Sequence, residues 1–230
     1  MTATFCTDIL PGPQRRLWTM LNGTPPGFVL YGGTALALRL GHRESVDFDF
    51  FSRETFDPAR LHEEVPYLQG SMAIQSNANT LTCVLDLGGQ VMVSFFGGLS
   101  MHSVQAPDKA EGPGILVASL LDIAATKAVA VQQRASSKDY VDIDAILQSG
   151  LPLRDILGAA KAVSGSRFNP VLTLKALSYF EEDDLGKVPQ STRDNLCEAV
   201  KLVDLDDVPE FKAYASLCPA EAEDDIRHDF

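Results

Sequence analysis

"YGGTALALRLGHRESVDFDFF", residues Tyr31 to Phe51, decides how the chain is read. It ends the short β-type run "GFVLY", so Gly32 and Gly33 fall between a strand and a stretch of helix formers that stops at Gly41. The order is strand, tight turn, helix. "SVDFDFFS" then alternates Val46, Phe48 and Phe50 with Asp47, Asp49 and Phe51, which is the period of a strand with one buried face. Asp47 and Asp49 therefore share a side.

Side chains at i and i+2 leave a strand on one face with Cα atoms roughly 6–7 Å apart, so two carboxylates there can converge on one hard cation or a close pair. Buried without such a partner they are costly, and one is expected to take up a proton. An exposed edge strand would carry the same pattern, and the residues alone leave that alternative open. The helix after Gly32 and Gly33 offers unpaired amides to a phosphate, and glycine permits close backbone approach. Phosphate at one end and divalent cation at the other describe a metal–triphosphate site.

Outward from this stretch, "TFDPARLHEEV" predicts a helix with Asp57 as N-cap and Pro58 as first residue. Between Met72 and Phe96, three apolar runs broken by "SNAN" and "GGQ" predict a β-meander with Gly88 and Gly89 in a hairpin turn. Ser119 with Asp122 reads as a capping box opening a helix to about Arg134, and Ser136 with Asp139 repeats the device for a helix stopping at Gly150. After Pro152 the sequence predicts helix throughout, with a clean start at Asn169 and Pro170. The fold class is α+β: a sheet-containing part over residues 1–110 and a helical part over 111–230, divided near the turn-rich "APDKAEGPG".

The 230 residues are 45% apolar, enough for one good core. No apolar run approaches the roughly 18–20 residues of a membrane span, and "MTATFCTDIL" lacks a signal-peptide pattern. Four scattered cysteines fit a reducing compartment, so a cytoplasmic protein without membrane contact is expected. Net charge is −12, and such a field repels nucleic acid, so any contact with it must be local. Part of the acidity lies in "EEDDLGK" (181–187) and "EAEDDIRHDF" (221–230), read as a solvated loop and tail.

The glycine-glycine-threonine helix start followed by "HRESVDFDFF" resembles the nucleotidyltransferase AbiEii/AbiGii toxin family, within the polymerase-β-like minimal nucleotidyltransferases. Gly32, Gly33 and Thr34 match the first half of that motif and Asp47 and Asp49 the second. Arg43 and Ser45 match an arginine and serine that the family carries just before the aspartates. The resemblance spans roughly residues 28–147 and continues in "LLDIAATKAVAVQQRASSKDYVDIDAIL", where Lys127, Arg134, Lys138, Asp139 and Asp142 fall at the family's basic and acidic places.

The resemblance implies transfer of a nucleoside monophosphate from a nucleoside triphosphate (NTP) to an acceptor hydroxyl, with release of pyrophosphate. It implies Mg2+ or Mn2+ on Asp47 and Asp49, and catalytic places for Lys127 and Asp139. Gly32, Gly33, Thr34, Arg43, Ser45, Lys127 and Lys138 are implied nucleotide contacts. Further implications are the toxin half of a toxin–antitoxin pair, a cognate antitoxin, and an RNA end such as that of tRNA as acceptor. Many members of the wider superfamily have a third carboxylate on a later strand, where "VMVSFF" supplies Ser94. Asp86, Asp139 or Asp142 would have to replace it, or the cation would activate the hydroxyl, or the chain is a degenerate, non-catalytic nucleotide- or protein-binding module. His42 lies in the turn beside the site as either a substrate contact or an ordinary turn residue.

Overall fold

The computed structural model describes residues 2–218. Its centre is the strand marked by the alternation, β3 (Asp47–Phe51), in which Phe48 and Phe50 are fully buried while Asp47, Asp49 and Phe51 are partly exposed on the opposite face. It runs antiparallel to β2 (Val29–Tyr31) and parallel to β6 (Gln90–Phe96). β3 is an inner strand, which excludes the edge-strand alternative. β5 (Thr80–Asp86) and β4 (Met72–Asn77) continue the sheet beyond β6 as the expected meander. On the other side β2 pairs with β8 (Leu116–Val117), followed by β7 (Asp108–Ala110) and β1 (Thr2–Ala3). The sheet thus takes one strand from beyond residue 110.

Register explains the buried face. Phe48 lies opposite Val93 and Phe50 opposite Phe95, and these in turn lie opposite Cys83 and Leu81 on β5. All are buried, and the Phe50 and Phe95 rings stack with centroids 5.2 Å apart. Burying each aromatic contributes roughly 1.5–3 kcal/mol, so a one-residue slip that turned Phe48 and Phe50 outward would be prohibitive. That register also fixes where Asp47 and Asp49 point.

Three helices start as expected. Asp57 accepts the Arg60 amide (2.9 Å) at α3 (Pro58–Glu64), and Asn169 accepts that of Val171 (3.0 Å) at α7 (Pro170–Ala176). Ser119 and Asp122 form their capping pair at α4 (Leu120–Gln133), where the Asp122 carboxylate also accepts the Val104 and Gln105 amides. The second capping box does not form. Ser136 caps α5 (Ser137–Gln148) without a side-chain bond, because the Asp139 carboxylate is drawn to Lys127 and Arg134 instead. The capping contact at this end comes from Asp184, in the acidic stretch read as solvated, which accepts the Ser137 amide at 2.6 Å. The second acidic stretch, 221–230, lies outside the described residues.

α1 (Gly12–Trp18) packs on β6, and α2 (Gly32–Leu40) packs on β3. α4 contacts α2, α5, α7 and α6 (Leu153–Ser164), so the helix carrying Lys127 is held beside the helix that starts at Gly32. The expectation of helix throughout after Pro152 fails beyond α8 (Gln190–Lys201). Past a short 3-10 turn at Leu205–Asp207, residues 208–218 run without helix, and Tyr214 exchanges backbone hydrogen bonds with Ser103 (2.9 and 3.2 Å). Tertiary pairing wins here over helical propensity.

That segment crosses α6 at Gly158, where an added Cβ would stand 2.2 Å from the Pro209 carbonyl oxygen and 3.2 Å from the Phe211 ring. Gly158→Ala is expected to lower unfolding free energy by about 1–3 kcal/mol. Gly186→Ala, with nothing within 4 Å of the added atom, is expected to stay within about 0.5 kcal/mol of the parent. Denaturant titration of both checks the difference, and equal stabilities would contradict the close crossing.

Candidate active site

Tyr31, the last residue of β2, pairs with Asp49, which sets the start of α2 directly against β3. Gly32 has φ +74°, and a Cβ there would lie 2.7 Å from Asp49 Oδ2; at Gly33 it would lie 2.9 Å from Ser45 Oγ and 3.0 Å from Arg43 Nη2. Only glycine fits this approach of backbone to carboxylate. The first amides of α2 have no intrahelical acceptor, so this end of the helix favours an anion.

Thr34 departs from its implied contact. Its side chain is fully buried and donates to the Asp47 carbonyl oxygen, with Ser45 Oγ at 3.0 Å. The hydroxyl ties α2 to the start of β3 and does not face the cleft.

Neither the Asp47 nor the Asp49 carboxylate has a hydrogen-bond donor or ion-pair partner among the described residues. Burial first, and the Asp47 charge second, push the Asp49 carboxyl up to about 6 against the opposing influence of Lys127 and Arg134. Burial also raises Asp47, opposed by Lys138. Two half-desolvated carboxylates that repel one another and lack partners have the donor chemistry for a hard cation. No third ligand joins them: the described residues contain no group of three or more His, Cys, Asp or Glu arranged to hold a metal. Two carboxylates with phosphate oxygens completing the sphere is a usual arrangement for magnesium.

The opposite wall is a network of charges. The Lys127 ammonium lies 2.7 Å from Asp139 Oδ1 and 2.6 Å from Asp142 Oδ2, almost buried. Arg43 donates to both Asp142 oxygens, from Nε at 2.7 Å and Nη2 at 2.8 Å, and His42 Nε2 lies 2.8 Å from Oδ1. Burial acts to raise the Asp142 carboxyl, but the hydrogen bonds of His42 and Arg43 and the charges of Lys127 and Arg43 outweigh it and hold it well below the usual range. Asp142 is thus the partner that fixes Lys127, and His42 serves it. Arg134 donates from Nε to Asp139 Oδ2 at 2.8 Å.

Between the walls lies a cleft of about 540 Å3. It brings together Gly33, Arg43, Ser45, Asp47, Asp49, Lys127, Lys138 and Asp139, with Arg134 beside them. Gly32, Thr34 and Asp142 stand behind its surface. Glu44, Val46 and Ser136 also line it and were missed; the first two interleave with the motif residues and the third precedes Lys138, which was the available signal. Ser94 lies in register with Asp49, where its Oγ accepts the Thr82 hydroxyl (3.2 Å). Asp86 is removed from the candidates for proton acceptor, since it lies at the β5–β6 hairpin turn, where its Oδ1 accepts the Gly88 and Gly89 amides, and is not among the residues lining the cleft.

Between pH 3.8 and about 6 the folded chain keeps a proton on Asp49 that the unfolded chain has released, so this group's stabilising contribution falls as pH rises through that window. Asp49→Asn is therefore expected to raise cation-free stability near pH 7.5 by about 1–3 kcal/mol and to change it little near pH 4. Denaturant titration at the two pH values checks this, and no gain at the higher pH would contradict a stressed carboxylate.

Residues 16–216 match the family model described as nucleotidyl transferase AbiEii toxin, type IV TA system. The protein aq_aa25 of Aquifex aeolicus (strain VF5) is 34% identical over 158 residues, covering 67% of this chain and 74% of that one. Among solved structures, the fold is similar to MenT4, a nucleotidyltransferase toxin from Mycobacterium tuberculosis H37Rv, with 16% identity, a TM-score of 0.58 and 84% of each chain covered. JHP933 from Helicobacter pylori is 17% identical, covering 81% of this chain and 88% of its own, with a TM-score of 0.48. The family match includes every element that walls the cleft, from the glycine start of α2 to Asp142 on α5. The chain belongs to the AbiEii nucleotidyltransferase toxin family of type IV toxin–antitoxin systems.

Proposed function

We propose that the cleft transfers a nucleoside monophosphate from an NTP to an acceptor hydroxyl in a magnesium-dependent reaction. The observation that carries this is the pair of unpartnered carboxylates, Asp47 and Asp49, set against the glycine start of α2 in a cleft with a cationic far wall. Asp47 and Asp49 would hold Mg2+ or Mn2+, which when bound offsets charge on the phosphate oxygens. Gly33 would offer its backbone amide to the triphosphate, and Gly32 lets the chain approach Asp49. Lys138 is exposed and has no ion-pair partner among the described residues, so it is free to meet the outer phosphates. Lys127 and Arg43 are held in place by Asp142, so their charges face the cleft without reorganisation. Ser45 positions the start of β3 through Thr34. Asp139 remains the carboxylate on the cleft wall able to receive the acceptor's proton.

The acceptor in this reading is an RNA end such as that of tRNA, approaching along Arg134, Lys138 and Arg43, where the charge is locally positive within an acidic chain. A cognate antitoxin partner goes with the family. No described helix is long and apolar enough to cross a membrane, and the four cysteines are free, in keeping with a proposed cytoplasmic setting. Ser94 beside Asp49 and the acidic surface of the chain favour a nucleotide- or protein-binding module without transfer.

Incubation with α-labelled NTPs, magnesium and total RNA separates the two. Transfer of label is expected for the parent, and Asp47→Asn is expected to reduce it at least about 100-fold with no loss of thermal stability. Near-normal transfer by that variant would remove the site. NTP-dependent melting shifts without transfer by the parent would establish the module instead.

A further inference from the structure

The acceptor's proton needs a destination, and the cleft offers few. Both oxygens of Asp142 are occupied by His42, Arg43 and Lys127. Ser94 is a hydroxyl, and Asp86 lies at the hairpin turn outside the cleft lining. Glu44 stands exposed in the turn before β3. Asp139 is different: its side chain is 1% exposed, Oδ1 holds Lys127 at 2.7 Å with Arg134 Nη2 at 3.4 Å, and Oδ2 has Arg134 Nε as its donor at 2.8 Å.

Arg134 is not fixed in the way its partner is. It is the C-cap of α4, with extended backbone (φ −151°, ψ 143°), and its side chain is 65% exposed. A buried carboxylate oxygen on the cleft wall is therefore closed by a guanidinium that faces solvent and the cleft. Arg134 also lines the same cleft as Asp47, Asp49 and Gly33, where a triphosphate would lie.

We propose that Arg134 is a phosphate-recruited gate on Asp139: a bound triphosphate draws the guanidinium off Oδ2, and that oxygen then receives the acceptor's proton. A triphosphate carries more charge than one carboxylate and matches the guanidinium fork equally well, so the exchange is favourable once the nucleotide is seated. In the step itself the acceptor oxygen forms a bond to the α-phosphorus as its proton passes to Asp139 Oδ2. The bond from that phosphorus to the bridging oxygen breaks, and its electron pair leaves with pyrophosphate. Lys127 stays on Oδ1 throughout, so the carboxylate keeps its orientation. The proton acceptor is uncovered only when the group to be transferred is present.

The inference rests on the triphosphate reading above, and titration calorimetry of the full chain with magnesium tripolyphosphate tests the two separately. Arg134→Ala is expected to bind about 5–10-fold more weakly than the parent. Asp139→Asn, which releases the arginine, is expected to bind about 3–10-fold more tightly, and this gain is expected to vanish in the Arg134→Ala background. A gain that persists in the double variant would come from charge relief or from Lys127 and would overturn the gate. Parent affinity in Arg134→Ala would do the same, and that exposed substitution does not threaten the fold. Absence of binding by the parent would overturn the triphosphate reading itself. If Asp139→Asn does not fold, the Arg134 Nε–H resonance of the parent decides: displacement on adding magnesium tripolyphosphate supports the gate, and an unmoved resonance overturns it.

Discussion

The structure turns on two negative charges that the folded chain creates and leaves unanswered. The pattern that buries Phe48 and Phe50 forces Asp47 and Asp49 onto the other face of an inner strand, and the glycine start of α2 closes over them. Any side chain at Gly32 would collide with Asp49. A protein selected for stability alone would place an arginine or a hydroxyl there. The carboxylates instead have no donor or ion-pair partner among the described residues, and burial with mutual repulsion drives Asp49 toward its neutral form. A bound cation would remove that penalty, so in the proposed reaction the groups that cost the fold stability are those that would favour a metal and a triphosphate.

The far wall solves the opposite problem, that of keeping positive charge inside a protein. Lys127 is almost buried between two carboxylates, and Asp142 carries His42 and Arg43 as well. Networks of this kind seldom add net stability, because desolvation offsets most of the attraction, but a fully satisfied network holds its members in one geometry. Here it joins the turn after α2 to α4 and α5. Arg134 joins the network only through Asp139 and is largely exposed, and Lys138 has no ion-pair partner among the described residues.

Much of this was legible in the sequence because local rules and the motif agreed. The period-2 run in 46–51, the glycines of the hairpin at 88 and 89, and the caps at Asp57, Ser119 and Asn169 each became the element they indicate. Ser136 with Asp139 has the same spacing as Ser119 with Asp122, yet Asp139 turned to Lys127, since an ion pair in a buried place outweighs a capping bond on the helix surface. Thr34 matches the motif by identity, but only coordinates reveal that its hydroxyl faces inward. The role of His42 was likewise invisible, because Asp142 lies far along the chain. So was Asp144, whose buried carboxylate joins α5 to Thr192 and Asn195 of α8. Contacts between distant segments carry no local signature, and the run of residues 208–218 over α6 is the plainest case.

Asp47 and Asp49 are proposed to form one cation site. Anomalous diffraction from crystals grown with Mn2+ and a non-hydrolysable NTP analogue addresses it most directly. The expected result is a manganese peak at about 2.1–2.3 Å from an oxygen of each carboxylate, shared with phosphate oxygens lying over the start of α2. Phosphate bound in the cleft with no metal on either aspartate, or metal held elsewhere, would contradict it.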